Sequence, residues 1–170
     1  MGPASNLHFR NNLVLAQGAW PEVFSMETFT PWSTSDYNGF SASATAGSSL
    51  FAWAAPADAA VNYDSRSARP VQSFADLKTY ADRTGQDRHS RMIDWSIFRR
   101  ASPPAKGDPT RLYRPDDYDF TLAPGSGAID AGTVLAGVTD GFTGSAPDLG
   151  ALESGRVVPA YGPRPVSDQP

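Results

Sequence analysis

The sequence predicts an all-β chain: a few short strands stacked as coils, with long loops and one short flanking α-helix. Three observations predict it. The stretch Asp119-Phe-Thr-Leu122 alternates, with Phe120 and Leu122 pointing one way and Asp119 and Thr121 the other. Pro124-Gly125 then turns the chain, and a corner of small residues buries Ala128 and Ile129. A second short strand, with Leu149 and Ala151 on one side, follows and closes at Glu153. Strand, tight turn, small-residue corner and strand together look like the end of a stack of coils.

Composition agrees. The chain has 170 residues, enough for one modest domain with its own core. Fifteen Gly and fifteen Pro argue for many turns and few long helices. The net charge of −4 points away from nucleic acid and from anionic membrane surfaces. With no cysteine, neither a disulfide framework nor a thiolate metal site is available. No apolar run reaches the length needed to span a membrane. The opening Met-Gly-Pro-Ala-Ser lacks the basic and apolar regions of a signal peptide.

In chain order, Leu7, Phe9, Leu13 and Leu15 alternate on either side of an Asn11-Asn12 corner. Asn tolerates left-handed geometry and bonds to nearby backbone, which suits the corner of a coil. A β-hairpin with an Asn-Asn turn is the alternative. The aromatic and Pro-rich segments around Trp20-Pro21 and Pro31-Trp32 read as loop or edge. Tyr37 and Asn38 lead a strand into Gly39, and Asp36, Tyr37 and Asn38 are placed to face a sugar or to serve as turn chemistry. Residues 41–72 read as a long excursion, bounded by Pro56 and Pro70. Within it Trp53 and Tyr63 offer aromatic faces, either for a sugar ring or to pin the loop to the wall.

Ser73 is the expected N-cap of the one helix, and Gly85 its stop. Phe74, Leu77, Tyr80 and Ala81 share its inward stripe. Next comes the most chemically loaded stretch, with His89 between Arg88 and Arg91 and with Asp87 and Asp94 nearby. A histidine base beside a cation is what proton abstraction next to a carboxylate requires. The competing reading has His89 and Ser90 bonding the turn between helix and strand. A strand is expected over residues 92–98, with Ile93, Trp95 and Ile97 on its apolar face. Two histidines without cysteine make a zinc site improbable. Asp116, Asp117 and Asp119 are close enough in sequence for calcium, but their spacing does not match an EF-hand loop. No cofactor is therefore expected.

Asp119-Phe-x-Leu-x-Pro-Gly-Ser-x-Ala-Ile-Asp-x-Gly132, Asp140-Gly-x-x-Gly144 and Ala146-Pro-Asp-Leu-Gly-Ala-x-Glu153 form one ordered set. Upstream stand Phe74-x-x-Leu77, Thr84-Gly-Gln-Asp-x-His-Ser90 and Asp94-x-x-Ile-Phe98. Together they resemble the C-terminal end of secreted bacterial right-handed parallel β-helix proteins, the pectate-lyase-like superfamily. The resemblance covers residues 74–153 well and residues 6–40 loosely. It implies a truncated right-handed parallel β-helix over residues 1–153, an extended tail over residues 154–170, and a secreted or cell-surface location. It also implies a carbohydrate-related role, as a non-catalytic module that binds a glycan or caps the stack. The alternative is part of a lyase or hydrolase acting on acidic polysaccharide, with Asp36 and Asp94 as available carboxylates. Such motifs terminate a stack and do not specify an activity. A few coils leave an edge over residues 7–15 that would meet earlier coils or another copy of the chain.

Overall fold

The computed structural model describes residues 4–16, 22–42, 49–57, 69–105, 107 and 110–158. Among these the chain is mostly short strands with one α-helix. The strands are β1 (His8–Arg10), β2 (Leu13–Leu15), β3 (Phe24–Glu27), β4 (Thr34–Asp36), β5 (Gly39–Ser41), β6 (Phe51–Ala54), β7 (Gln72–Phe74), β8 (Arg91–Met92), β9 (Phe98–Arg100) and β10 (Asp119–Leu122). The helix α1 is Leu77–Thr84. The strands form four small sheets of mixed sense.

The pairing is layered. β1 lies parallel to β4, β2 to β5 and β3 to β6, with His8 opposite Thr34, Leu13 opposite Gly39 and Phe24 opposite Phe51. So β1, β2 and β3 form one tier and β4, β5 and β6 the next. On the first two sides the offset is 26 residues, as the Asn12-to-Asn38 hydrogen bond shows. β8 continues the second side in the same sense, with Gly39 opposite Arg91. The Asn-Asn corner is therefore not a hairpin, because β1 and β2 pair with later strands rather than with each other. Asn11 takes φ of 57° at that corner, as the sequence anticipates, and Tyr37 repeats it at 55° one tier on.

Two cores flank the sheet formed by β2, β5 and β8. On one side, Phe9, Phe24, Phe40, Phe51 and Tyr80 pass ring to ring, with centroids 5.2, 5.3, 5.2 and 5.1 Å apart. On the other side Ile97, Leu122, Ala128, Ala131 and Leu149 pack with Leu13 and Ile93. Gly39 is the floor between them. A Cβ there would lie 2.8 Å from Ile93 Cδ1 and 2.9 Å from Leu13 Cδ2, so only glycine lets the second core close on this sheet.

On the third side the parallel order stops at β6. β7 runs antiparallel to β6, with Phe51 opposite Phe74. α1 follows and lays Tyr80, fully buried, against Phe51. Its N-cap is Asp76, whose side chain accepts from Thr79 N at 2.8 Å, and Gly85 ends it at φ of 74°. Ser73, expected as the cap, belongs to β7 instead. The Asp carboxylate, one residue before the helix, is the stronger acceptor and wins the cap.

Four further expectations are corrected. The excursion over residues 41–72 contains β6, buried along its whole length. A strand buried on both faces shows no alternation, so Phe51-Ala-Trp-Ala gave no strand periodicity. The expected strand over residues 92–98 is broken by a 3₁₀ turn, Trp95–Ile97, because the Asp94 side chain accepts from Ser96 N at 2.7 Å and caps it. Chain pairing resumes at β9, antiparallel to β10. An irregularity between Asp119 and Leu122 then leaves Leu122 buried and Phe120 47% exposed, against the expected shared face. The segment around Leu149 forms bends rather than a strand, with Leu149 buried and Ala151 exposed.

Side-chain to backbone hydrogen bonds tie residues 130–153 down. Asn11 Nδ2 donates to Thr133 O and Asn11 Oδ1 accepts from Thr133 N, both at 2.8 Å. Gly150 N donates to Asn11 O at 2.8 Å. Asp148 Oδ1 accepts from Asp130 N, and Asp130 Oδ1 from Ser145 N, each at 2.8 Å. Glu153 accepts from Thr143 N at 3.0 Å and from Asp148 N at 3.1 Å. The acids of this segment thus satisfy turn amides, which is why a turn-rich segment with little regular structure can hold its shape. No helix is long and apolar enough to cross a membrane among the described residues.

Candidate functional site

The corners between the first and second sides of each tier stack in register. Asn11-Asn12 lies over Tyr37-Asn38, which lies over His89-Ser90. The separation of Asn38 and Ser90 is 52 residues, twice the 26 between Asn12 and Asn38.

Inside the corner the stack is polar and closed. Asn38, fully buried, accepts from Asn12 N at 2.9 Å through Oδ1. Its Nδ2 reaches Asp87 Oδ1 at 3.0 Å, and its own backbone N donates to Ser90 Oγ at 2.8 Å. Asp87 is 1% exposed and accepts from Ser90 Oγ at 2.6 Å. It lies beside the Tyr80 hydroxyl; burial first, and then this carboxylate, pushes the phenol far above its usual range. The paired groups here are structural, each partner replacing the water that folding removes, whereas Asp87 Oδ2 and the Tyr80 hydroxyl are buried without a hydrogen-bond partner among the described residues.

Outside the corner the stack is open. The Tyr37 and His89 rings lie face to face, 4.6 Å apart and 12° from parallel. Asp36, at the end of β4, holds both neighbours. Its Oδ1 accepts from Tyr37 N at 2.9 Å and from His89 N at 2.7 Å, and its Oδ2 meets His89 Nδ1 at 2.7 Å. Burial pushes the Asp36 carboxyl up, but the hydrogen bonds from the His89 side chain, the His89 backbone and the Tyr37 backbone outweigh it and hold it below the usual carboxylate range. An ionised carboxylate only accepts, so Nδ1 carries a proton and Nε2 is directed away from Asp36. The His89 side chain is 60% exposed. Chemically, the arrangement presents an oriented imidazole, backed by a carboxylate and a ring, able to take a proton at Nε2 or to donate one to an anion.

The other candidate residues separate from this pair. Arg88 and Arg91 are exposed, and Arg91 Nη1 donates to Gly127 O at 2.8 Å. Asp94 is committed to Ser96, whose side-chain and backbone hydrogen bonds hold its carboxyl low. It therefore caps the 3₁₀ turn and does not join Asp36 as a paired carboxylate. Asn38 lies inside the corner, and Trp53 is 6% exposed with its ring 6.5 Å from that of Tyr80. Packing removes the open faces that a sugar would need on both. Tyr63 lies outside the described residues. Among the described residues no group of three or more His, Asp or Glu could hold a metal ion. Asp119 accepts instead from Thr121 N at 3.0 Å, and hydrogen bonds from the Thr121 side chain and backbone hold its carboxyl below the usual range.

The Asp36–His89 pair is the element that residue-by-residue reading misses. The signal lay in the repeat: twice the 26-residue offset, counted from Tyr37, reaches His89 and sets it under Tyr37 and next to Asp36. A further concavity of about 930 Å³ lies between Arg10, Asn11 and Asn12 and the closing segment, where Phe142, Glu153 and Arg156 line it.

Comparison with family models, with curated proteins and with solved structures gives no match.

Proposed function

We propose that this chain is the closing end of a right-handed parallel β-helix of the pectate-lyase-like kind, and that it acts as a non-catalytic module binding acidic carbohydrate at the Tyr37–His89 corner. The observation that carries the reading is the repeated parallel register on three sides, continued by β8 on the second and stopped by the antiparallel β7 on the third. Stacked tiers joined at short corners are how such a fold is built, and an antiparallel strand and a helix are how a stack can be stopped. The resemblance of residues 74–153 supports the same origin, and with it a secreted or cell-surface location.

The ligand class follows from the corner's chemistry. His89 is exposed and can donate to a carboxylate, and Arg88, next to it in the chain, is an exposed cation. Tyr37 and His89 add a flat, partly apolar surface. A uronate-containing polysaccharide or surface glycan fits that combination. A glycan array probed with the purified chain tests this. Acidic glycans are retained by the wild type and lost with His89→Ala; retention of neutral glycans only, or of none, removes the carbohydrate reading.

The Asp36 contact favours one second reading, a polysaccharide lyase. With Nδ1–H held by Asp36, the Nε2 lone pair is oriented to take the proton next to a uronate carboxylate. Ultraviolet absorbance from unsaturated uronate ends, lost in both His89→Ala and Asp36→Asn, would establish turnover. Binding without any such absorbance keeps the module non-catalytic.

A further inference from the structure

The concavity of about 930 Å³ has walls of two origins. Arg10, Asn11 and Asn12 come from the end of β1 and the first corner, and Phe142 and Arg156 from the closing segment. Its size is that of a small-molecule site. The carboxylates that line it are engaged by turn amides. Glu153 accepts from Thr143 N and Asp148 N, Asp148 Oδ1 from Asp130 N at 2.8 Å, and Asp140 Oδ2 from Gly137 N at 2.9 Å. Neither arginine is ion-paired among the described residues. Arg10 donates to neutral oxygens, Phe9 O at 3.1 Å and Thr34 Oγ1 at 2.9 Å, which leaves part of its fork of donors unused. Arg156 lies over Gly141. A Cβ there would come within 3.3 Å of Nη1, so the bare α-carbon, at φ of 82°, seats the guanidinium.

We infer that this cavity is a second sugar subsite, built for a uronate residue of an acidic glycan; the inference rests on the carbohydrate reading above and extends it beyond the corner. The mixed lining selects the ligand. A simple anion such as sulfate would be repelled by Asp140, Asp148 and Glu153, which outnumber the two arginines. A neutral sugar would leave both guanidiniums without a charged partner. A uronate suits both sets of groups. Its carboxylate accepts paired N–H bonds from a guanidinium, and its hydroxyls donate to Asp140 Oδ1, which accepts from none of the described residues. The apolar face of its ring packs on Phe142. The location fits as well. Arg10 stands opposite Asp36 in the β1–β4 register, and Asp36 holds His89. The cavity therefore borders the corner, and one glycan chain of several residues can occupy both.

Oligogalacturonates titrated into the full chain, followed by amide chemical shifts and by calorimetry, test the inference. The amides of Phe142 and Thr143 should shift, as should those of Tyr37 and His89. Arg156→Gln should weaken binding about tenfold and silence the shifts at Phe142 and Thr143 while leaving those at His89. The Arg156 side chain makes no hydrogen bond among the described residues, so this variant keeps the fold. Arg156→Lys, which retains the charge but not the paired donors, should recover only part of the loss. Sodium sulfate at the same concentration should leave Phe142 and Thr143 unmoved. Shifts confined to the corner, with Arg156→Gln binding as the wild type does, would overturn the inference and leave the corner reading standing. Shifts at neither place would overturn both. Shifts at the cavity alone, lost in Arg156→Gln, would support the subsite and remove the corner. Equal shifts with sulfate would overturn the uronate assignment.

Discussion

The end around Tyr80 and the end around Phe9 are built from the same material and differ in what covers them. Both belong to one run of aromatic rings with centroid spacings of 5.1 to 5.3 Å. At the first end Phe51, Phe74 and Trp53 surround Tyr80, and α1 supplies the last ring. At the other end Phe9 has Phe24 on one side and, among the described residues, no further tier above it. The lesson is that a stack of parallel tiers has no intrinsic end. An end must be made by a change of element, and here the antiparallel β7 and the capped helix make the one around Tyr80.

The largest contrast should come from truncating the two terminal rings. Tyr80→Ala should cost about 3–5 kcal/mol in urea unfolding, because a fully buried ring leaves a cavity that β6 and β7 cannot fill. Phe9→Ala should cost about half of that, since its ring is already half in water. Equal losses at the two positions would break the comparison. Gly39→Ala comes next, at about 1–3 kcal/mol, since its methyl meets Ile93, Leu13 and Leu149 and pries the second core from the sheet. Thermal unfolding of this variant should show the loss without any change at the His89 corner.

Asp76→Ala should cost about 1 kcal/mol by removing the α1 cap, and its effect should concentrate at the end around Tyr80. Exchange of the α1 amides measures it. The smallest effect is a pH dependence at the corner. The folded Asp36 carboxyl is held below its usual range, so its stabilisation is complete above about pH 4 and is lost as pH falls through the lower folded value. The difference in urea midpoint between wild type and Asp36→Asn should therefore shrink on acidification. A difference that grows toward low pH would contradict the Asp36–His89 contact.

Much of this was legible in the sequence, and the failures have physical causes. The Asn11 corner, the Gly85 stop, the inward Tyr80 and Ala81 of the helix and the buried Ala128 all follow from local rules of turn geometry and periodicity, whereas Phe74, expected on the same helical stripe, lies in β7. β6 was missed because a strand covered on both sides has no alternation to read. The break at Asp94 was missed because a side-chain cap, which depends on a rotamer, overrides a run of apolar residues that favours a strand. At the candidate site, His89 stood out by its chemistry. Asp36 was singled out as a residue facing a sugar and as a carboxylate beside Asp94, but not as the partner of His89, because their separation of 53 residues is spanned only by the tier spacing. Trp53 invited a functional reading for its residue type, but its neighbours in β6 place it in the core.

The parallel register is the claim on which the rest depends, and interstrand nuclear Overhauser contacts test it most directly. The account predicts contacts joining Leu13 to Gly39, Gly39 to Arg91 and Phe24 to Phe51 in the parallel pattern. Close Hα–Hα contacts between β1 and β2 across the Asn11-Asn12 corner, the mark of an antiparallel hairpin, would contradict it.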